Sequence, residues 1–280
     1  MDEKGLGRRL QDARIAAGFT QQVLCQKAGL SYSTLTKIER GAIKAPSIFT
    51  IQSIAAALGV GLSELLGQTA GPKQPKKTSR SGIRFVYFDV NGCLVRFFHQ
   101  AFTRLAEESG APADMVETAF WHYNDAVCRG EMPVEKFDKV LAQTLGLPAV
   151  DWRSYYLEAI EPIPAMQELL HWATEHYYVG LLTNIMPGFL DAMRQRGMLP
   201  TVTYDSIIDS SQVKAIKPEK AMYEIATERS HCEASEILLI DDSRTNLMAA
   251  EKQGWHVLWF DDYRPEESVA RVREALEFAA

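Results

Sequence analysis

The chain has no apolar run approaching the ~20 residues that a membrane-spanning helix requires. Its charged start, Met1-Asp2-Glu3-Lys4, lacks the pattern of a secretory leader. No membrane partner is expected, and a soluble, cytoplasmic protein is. Cysteine is sparse: Cys25, Cys93, Cys128 and Cys232 are scattered without any Cys-x-x-Cys pair. That argues against a zinc site and against a disulfide framework, and leaves reduced, buried thiols as the reading. Internal repeats are missing as well, which sets aside a repeat architecture.

What remains is 280 residues of ordinary hydrophobic content, 46%. This is enough for one full α/β domain and a smaller companion. The net charge of −6 hides a division, since residues 1–84 carry 13 Lys/Arg against 5 Asp/Glu and the rest carries 17 against 31. A front of +8 on a body of −14 suggests that the front meets a polyanion while the body does something else. Between them, residues 67–82 read G-Q-T-A-G-P-K-Q-P-K-K-T-S-R-S-G, without apolar periodicity. Such a segment is expected to be a flexible basic linker, its ends roughly 20–24 Å apart as coil.

Residues 1–66 divide into five short helical patterns: Leu6–Ala17, Gln21–Ala28, Tyr32–Arg40, Ile48–Leu58 and Leu62–Leu66. Thr20 and Ser31 stand where a hydroxyl caps the second and third, and Gly29 supplies the tight turn between them. The run T-Q-Q-V-L-C-Q-K-A-G-L-S-Y-S-T-L-T-K-I-E-R-G resembles the lambda-repressor-like, Xre-type helix-turn-helix domains. Leu24, Leu35 and Ile38 fall at that family's core positions, and Cys25 takes a place usually held by Ala. The resemblance implies a third helix in the major groove of double-stranded DNA. Tyr32, Ser33 and Lys37 would then face base edges, with Gln21 and Thr34 near the backbone. It also implies a homodimer on two half-sites.

From Ile83 onward, apolar runs alternate with helical patterns, as in a parallel sheet covered on both faces. The expected fold is thus an all-α helix-turn-helix bundle followed, over 83–280, by an α/β doubly wound parallel sheet. Reactive groups should gather at the C-terminal ends of its strands. Three features stand at such points, Asp89 after F-V-Y-F, Thr183 with Asn184 after a second run, and Asp241-Asp242 after a third, with Lys217 in Lys-Pro before the last. In this order they resemble the haloacid dehalogenase superfamily. The aromatic-rich helical stretch at about 95–163 resembles its type-1 inserted cap, whose aromatics read mainly as core.

By that resemblance Asp89 is a nucleophile toward phosphorus, and Thr183, Asn184 and Lys217 hold the phosphate. Asp89, the Asn91 carbonyl, Asp241 and Asp242 bind Mg2+, and Asn246 orients the last loop. Those residue types suit the tasks: hard oxygen ligands for the metal, a hydroxyl donor and a point charge for the phosphoryl group. The departure is Asn91, where the superfamily's phosphatases carry an Asp that protonates the leaving oxygen and then activates water. An amide has no proton to exchange near neutral pH, so general acid–base catalysis of ~10²–10⁴-fold is lost unless another group replaces it. His99 and His122 in the cap have the right chemistry to replace it near neutral pH, but read mainly as cap surface or packing residues. Three readings stay open: a transcriptional regulator sensing a phosphorylated small molecule, an active phosphohydrolase with a DNA-binding or dimerising front, and a 2-haloacid dehalogenase. The metal carboxylates disfavour the third. Asn91-Gly92 is also a deamidation-prone pair.

Overall fold

The computed structural model describes residues 3–43, 45–58, 60, 65 and 76–277, and the chain forms two compact units, Met1–Lys73 and Gln74–Ala280.

In the first unit, among the described residues, four helices, α1 (Glu3–Ala16), α2 (Gln21–Ala28), α3 (Tyr32–Glu39) and α4 (Ile48–Leu58), enclose one small core. The caps are local and as expected. Thr20 accepts from the Val23 N–H, Ser31 accepts from the Thr34 N–H, and Gly29 closes α2 at φ +63°. Each cap satisfies an orphan donor, a contribution of about 1 kcal/mol. Leu24, Leu35 and Ile38 are buried, with Leu10 and Ile54 beside them. The fifth helical pattern, Leu62–Leu66, lies mostly outside the described residues.

The second unit is a five-stranded sheet in the order β3-β2-β1-β4-β5, every pairing parallel. Its strands are β1 (Phe85–Phe88), β2 (Tyr178–Thr183), β3 (Ser206–Asp209), β4 (Ile237–Asp241) and β5 (His256–Trp259). Continuous apolar runs suit strands covered on both faces, and every residue of β1 and β4 is buried. From β1 the chain winds outward through β2 and β3, then crosses to β4 and β5 on the other side. This reversal opens a crevice at the carboxyl end of β1, the place where ligands bind in such sheets.

Four helices fill the interval between β1 and the second strand's lead helix: α5 (His99–Ser109), α6 (Ala113–Cys128), α7 (Val134–Leu145) and α8 (Trp152–Ala159). Phe102, Phe120, Phe137 and Trp152 are buried at their centre, with the Phe120 and Trp152 rings 4.6 Å apart. Entry and exit run side by side: Val95 bridges Pro162, Arg96 N–H donates to Glu161 O, and Ile163 N–H donates to Leu94 O. The far end of α6 is pinned to the sheet domain. Ser210 Oγ donates to Cys128 O at 2.7 Å, and Arg129 pairs with Glu219 at 2.5 Å.

The expected linker, residues 67–82, needs correction at its end. Residues 67–75 lie outside the described residues, but Lys77 N–H donates to His176 O, Ser79 N–H to Ile83 O, and Arg80 N–H to Glu277 O. Residues 77–80 therefore belong to the second unit. Backbone pairing there does not depend on apolar periodicity, so the sequence pattern could not reveal it.

Candidate active site

After β1 the chain turns sharply. Val90 O accepts from the N–H groups of Leu94 and Val95, and Gly92 adopts φ +78°. A Cβ at Gly92 would lie 2.2 Å from Asp242 Oδ2, so glycine is required both by conformation and by the approach of that carboxylate. Gly92→Ala is expected to displace Asp242 and to abolish stabilisation by Mg2+. Thermal unfolding with and without the ion measures this.

The turn holds Asp89 at the centre of a buried charge cluster. Lys217 Nζ lies 2.9 Å from Asp89 Oδ1 and 2.6 Å from Asp241 Oδ2. Its side chain is 1% exposed. Burial opposes the ammonium, yet Asp241 and Asp89 together hold its pKa above the ordinary value. Asn184 fixes this lysine from behind: its Oδ1 accepts from the Lys217 N–H and its Nδ2 donates to the Lys217 carbonyl. Both heteroatoms of Asn184 are thus engaged, leaving only its second N–H for a ligand. The expected phosphate contact gives way, first of all, to positioning of Lys217.

Asp241 likewise has partners besides its expected role as a metal ligand. It accepts from Lys217, from the Ser243 N–H at 2.8 Å, and from Asn246 Nδ2 at 3.1 and 3.2 Å. Ligand atoms of Asp89, Asp241 and Asp242 all lie within 4.8 Å of one another, so the three together could hold an ion. Three carboxylates against one ammonium leave an excess of two negative charges in a buried site. A divalent cation neutralises that excess, and all-oxygen ligands suit Mg2+. The residues present therefore fit the metal.

The cost of the uncompensated charge is visible in the acids themselves. Burial first, then the neighbouring Asp241 and Asp242, outweigh Lys217 and push Asp89 up to about 8. Burial and Asp241 push Asp242 up to about 6. Both values lie above the unfolded carboxylate range near 4, so the metal-free folded state holds more protons than the unfolded one between about pH 4 and 8. Its stability is expected to fall as pH rises through that window. Mg2+ should stabilise more at pH 8 than at pH 5. Denaturant midpoints at the two pH values, with and without Mg2+, check the sign.

Thr183 is fully buried, and its Oγ1 has no hydrogen-bond partner. A buried hydroxyl left without a partner is uncommon. This one stands at the end of β2, beside the cavity-lining Asn184.

Above the cluster is a cavity of about 280 Å³, walled by Asp89, Asn91, Asn184, Lys217 and Asp242 below and by cap residues above. One contact crosses it: the Tyr156 hydroxyl, on α8, donates to Asn91 Oδ1 at 2.5 Å. Burial, first, raises the pKa of this phenol well above its ordinary value, so it donates and does not ionise. His99 and His122 are exposed and do not line the cavity, so neither takes the place of the missing acid. The pairing of Tyr156 with Asn91, 65 residues apart, carried no sequence signal. The same is true of Asn124 and Asp125 on the cavity wall.

In the first unit, Tyr32, Ser33 and Lys37 lie exposed on α3, opposite Leu35 and Ile38. Thr34 and Gln21 are more engaged than expected. Thr34 Oγ1 shares a hydrogen bond with Ser31 Oγ, and Gln21 Nε2 donates to Glu39 Oε2. Glu39 is buried against Arg14, which reaches both its oxygens at 2.7 and 3.1 Å. Gln21 thereby helps to join α2 to α3.

Comparison with known proteins gives both units a class. Residues 88–260 match the haloacid dehalogenase-like hydrolases, and residues 10–65 match the helix-turn-helix family. The chain belongs to the haloacid dehalogenase-like hydrolase family, and its first unit is similar to helix-turn-helix domains. Over 78 residues it is 31% identical to the HTH-type transcriptional regulator PuuR of Escherichia coli, a match covering 27% of this chain and 42% of PuuR. Over 232 residues, 78% of the chain, it is 22% identical to mouse acyl-CoA dehydrogenase family member 10, spanning 21% of that protein. Among solved structures, a HAD-like hydrolase of Porphyromonas gingivalis superposes with a TM-score of 0.57 at 21% identity, covering 68% of this chain and 98% of that one. A HAD family enzyme of Bacteroides thetaiotaomicron, in complex with magnesium and inorganic phosphate, gives 0.51 at 18%, covering 64% and 94%. At such identities these two speak for the fold alone. Among the described residues no helix is long and apolar enough to cross a membrane.

Proposed function

We propose that this protein is a DNA-binding transcriptional regulator whose hydrolase-like domain holds Mg2+ and a phosphorylated small molecule, and turns that molecule over slowly or not at all. One observation carries the reading. The groups suited to binding, Asp89, Lys217, Thr183 and Asp242, are assembled, whereas the position for acid–base work is an amide tied to Tyr156. Mg2+, when bound, supplies charge neutralisation and polarises phosphoryl oxygens. Lys217 places a positive charge toward the phosphate, and Thr183 offers its unused hydroxyl. Attack by Asp89 Oδ on phosphorus breaks the ester P–O bond, and the departing oxygen must then take a proton. Asn91 has none to give, so occupancy outlasts turnover.

Regulation requires the ligand to favour one arrangement of the DNA-binding units over another, since equal affinity for both shifts nothing. The expected assembly is a homodimer on double-stranded DNA, with Tyr32, Ser33 and Lys37 toward bases. Replacing Ser33 and Lys37 together by Ala is expected to weaken specific DNA binding by about 1–3 kcal/mol per lost base contact, as read by fluorescence anisotropy on a selected operator. Absence of any sequence-specific binding by the native chain would instead favour a phosphohydrolase whose front domain dimerises or docks a partner. The direct test of the pocket is Mg2+-dependent hydrolysis of an aryl phosphate by the native chain, with intact mass confirming Asn91. Brisk turnover that vanishes in Asp89→Asn would overturn the sensor reading.

A further inference from the structure

The cap wall of the cavity carries more chemistry than a lid needs. Trp121 on α6 leaves 46% of its surface exposed yet lines the cavity, stacked near Phe97 with centroids 6.3 Å apart and planes 16° apart. Asn124 and Asp125 follow on the same helix and line the same cavity. Asn124 Nδ2 donates to Asp125 Oδ1 at 3.3 Å, and Asn124 Oδ1 accepts from Cys128 Sγ at 3.5 Å. That chain of contacts orients the carboxylate. Arg129, the nearby cation, is committed to Glu219, and among the described residues no salt bridge reaches Asp125.

Resting on the reading of the pocket as a phosphate site, we infer that the ligand is a small phosphate monoester with a flat aromatic body and an ammonium group. The phosphate would meet Lys217 and the metal carboxylates, the ring would lie against Phe97 and Trp121, and the ammonium would meet Asp125. One feature asks for a cation at that end: Asp125 is an exposed carboxylate that lines the cavity, and among the described residues no salt bridge reaches it. The volume, about 280 Å³, lies just below the ~300–1,000 Å³ usual for ligand pockets. It suits a single-ring compound.

A matched pair of probes tests this on the full-length protein in saturating Mg2+: phenyl phosphate and para-(aminomethyl)phenyl phosphate, titrated calorimetrically beside inorganic phosphate. The native chain is expected to prefer the aminomethyl probe by about tenfold. In Asp125→Asn the ratio of the two affinities should fall to about one, and Asp125→Lys should invert it. Trp121→Ala should lower the affinity of phenyl phosphate relative to inorganic phosphate. A native ratio near one, or a preference that survives Asp125→Asn, overturns the inference while leaving the phosphate site intact. Failure of inorganic phosphate itself to bind removes the phosphate-site reading and this inference together, so the two failures are told apart.

Discussion

Asn91→Asp is expected to raise Mg2+-dependent hydrolysis of an aryl phosphate by about 10²–10⁴-fold, the usual worth of a positioned general acid–base. The substitution is nearly isosteric, so the oxygen that accepts from Tyr156 at 2.5 Å can keep its partner. The second oxygen then replaces the amide nitrogen and carries the proton. Charge favours that proton, because the new carboxyl joins Asp89, Asp241 and Asp242 with only Lys217 to offset them. In that background Tyr156→Phe should remove part of the gain and shift the pH–rate profile, since the phenol orients the acid. Steady-state rates with mass-verified protein decide the matter. No gain at saturating Mg2+ would mean that the cap, not the missing acid, prevents turnover.

Lys217→Met should cost about 3–5 kcal/mol of stability, the usual penalty for removing one partner of a buried ion pair and stranding the other. Here Asp89 and Asp241 would both be stranded, at 7% and 0% exposure. In a domain of this size that corresponds to a fall in Tm of roughly 6–20 °C. The deficit has a sign in pH. Without the lysine the carboxylates hold protons more tightly, so the variant should recover toward native stability as pH falls and lose most near pH 8. Mg2+ should restore part of it by supplying the missing positive charge. Denaturant midpoints at pH 5 and pH 8 measure all three effects, and an unchanged midpoint at pH 8 would refute the account of Lys217 as the cluster's counter-charge.

Both predictions join a residue that the sequence announced to a partner that it did not. Asp89, Thr183 and Asp242 were legible because apolar runs mark the ends of strands that a parallel sheet delivers to one rim, and Lys217, beyond β3, was legible only through the resemblance to the haloacid dehalogenase superfamily. Asn91 was legible as a loss of acid–base capacity because that follows from the amide group alone. The assignments of Asn184 and Asp241 as direct ligands were incomplete. Residue type says what a side chain can bind, whereas the local packing of Lys217 and Asn246 decides what has already occupied it.

The amino-acid sequence by itself determined the two-part organisation, the caps at Thr20 and Ser31, the doubly wound sheet and the residues on its rim. The caps rest on hydrogen bonds between near neighbours in the chain, and the sheet was legible from the periodicity of its apolar runs, although its pairings join distant strands. Only the tertiary structure decided that Tyr156 holds Asn91, that Asn184 holds Lys217, that His99 and His122 stand outside the cavity, and that Asp125 faces into it. Each of these depends on the docking of the cap or the closure of a loop across tens of residues. Which side chains then share a desolvated space is settled by the packing of whole elements, and no local pattern encodes it.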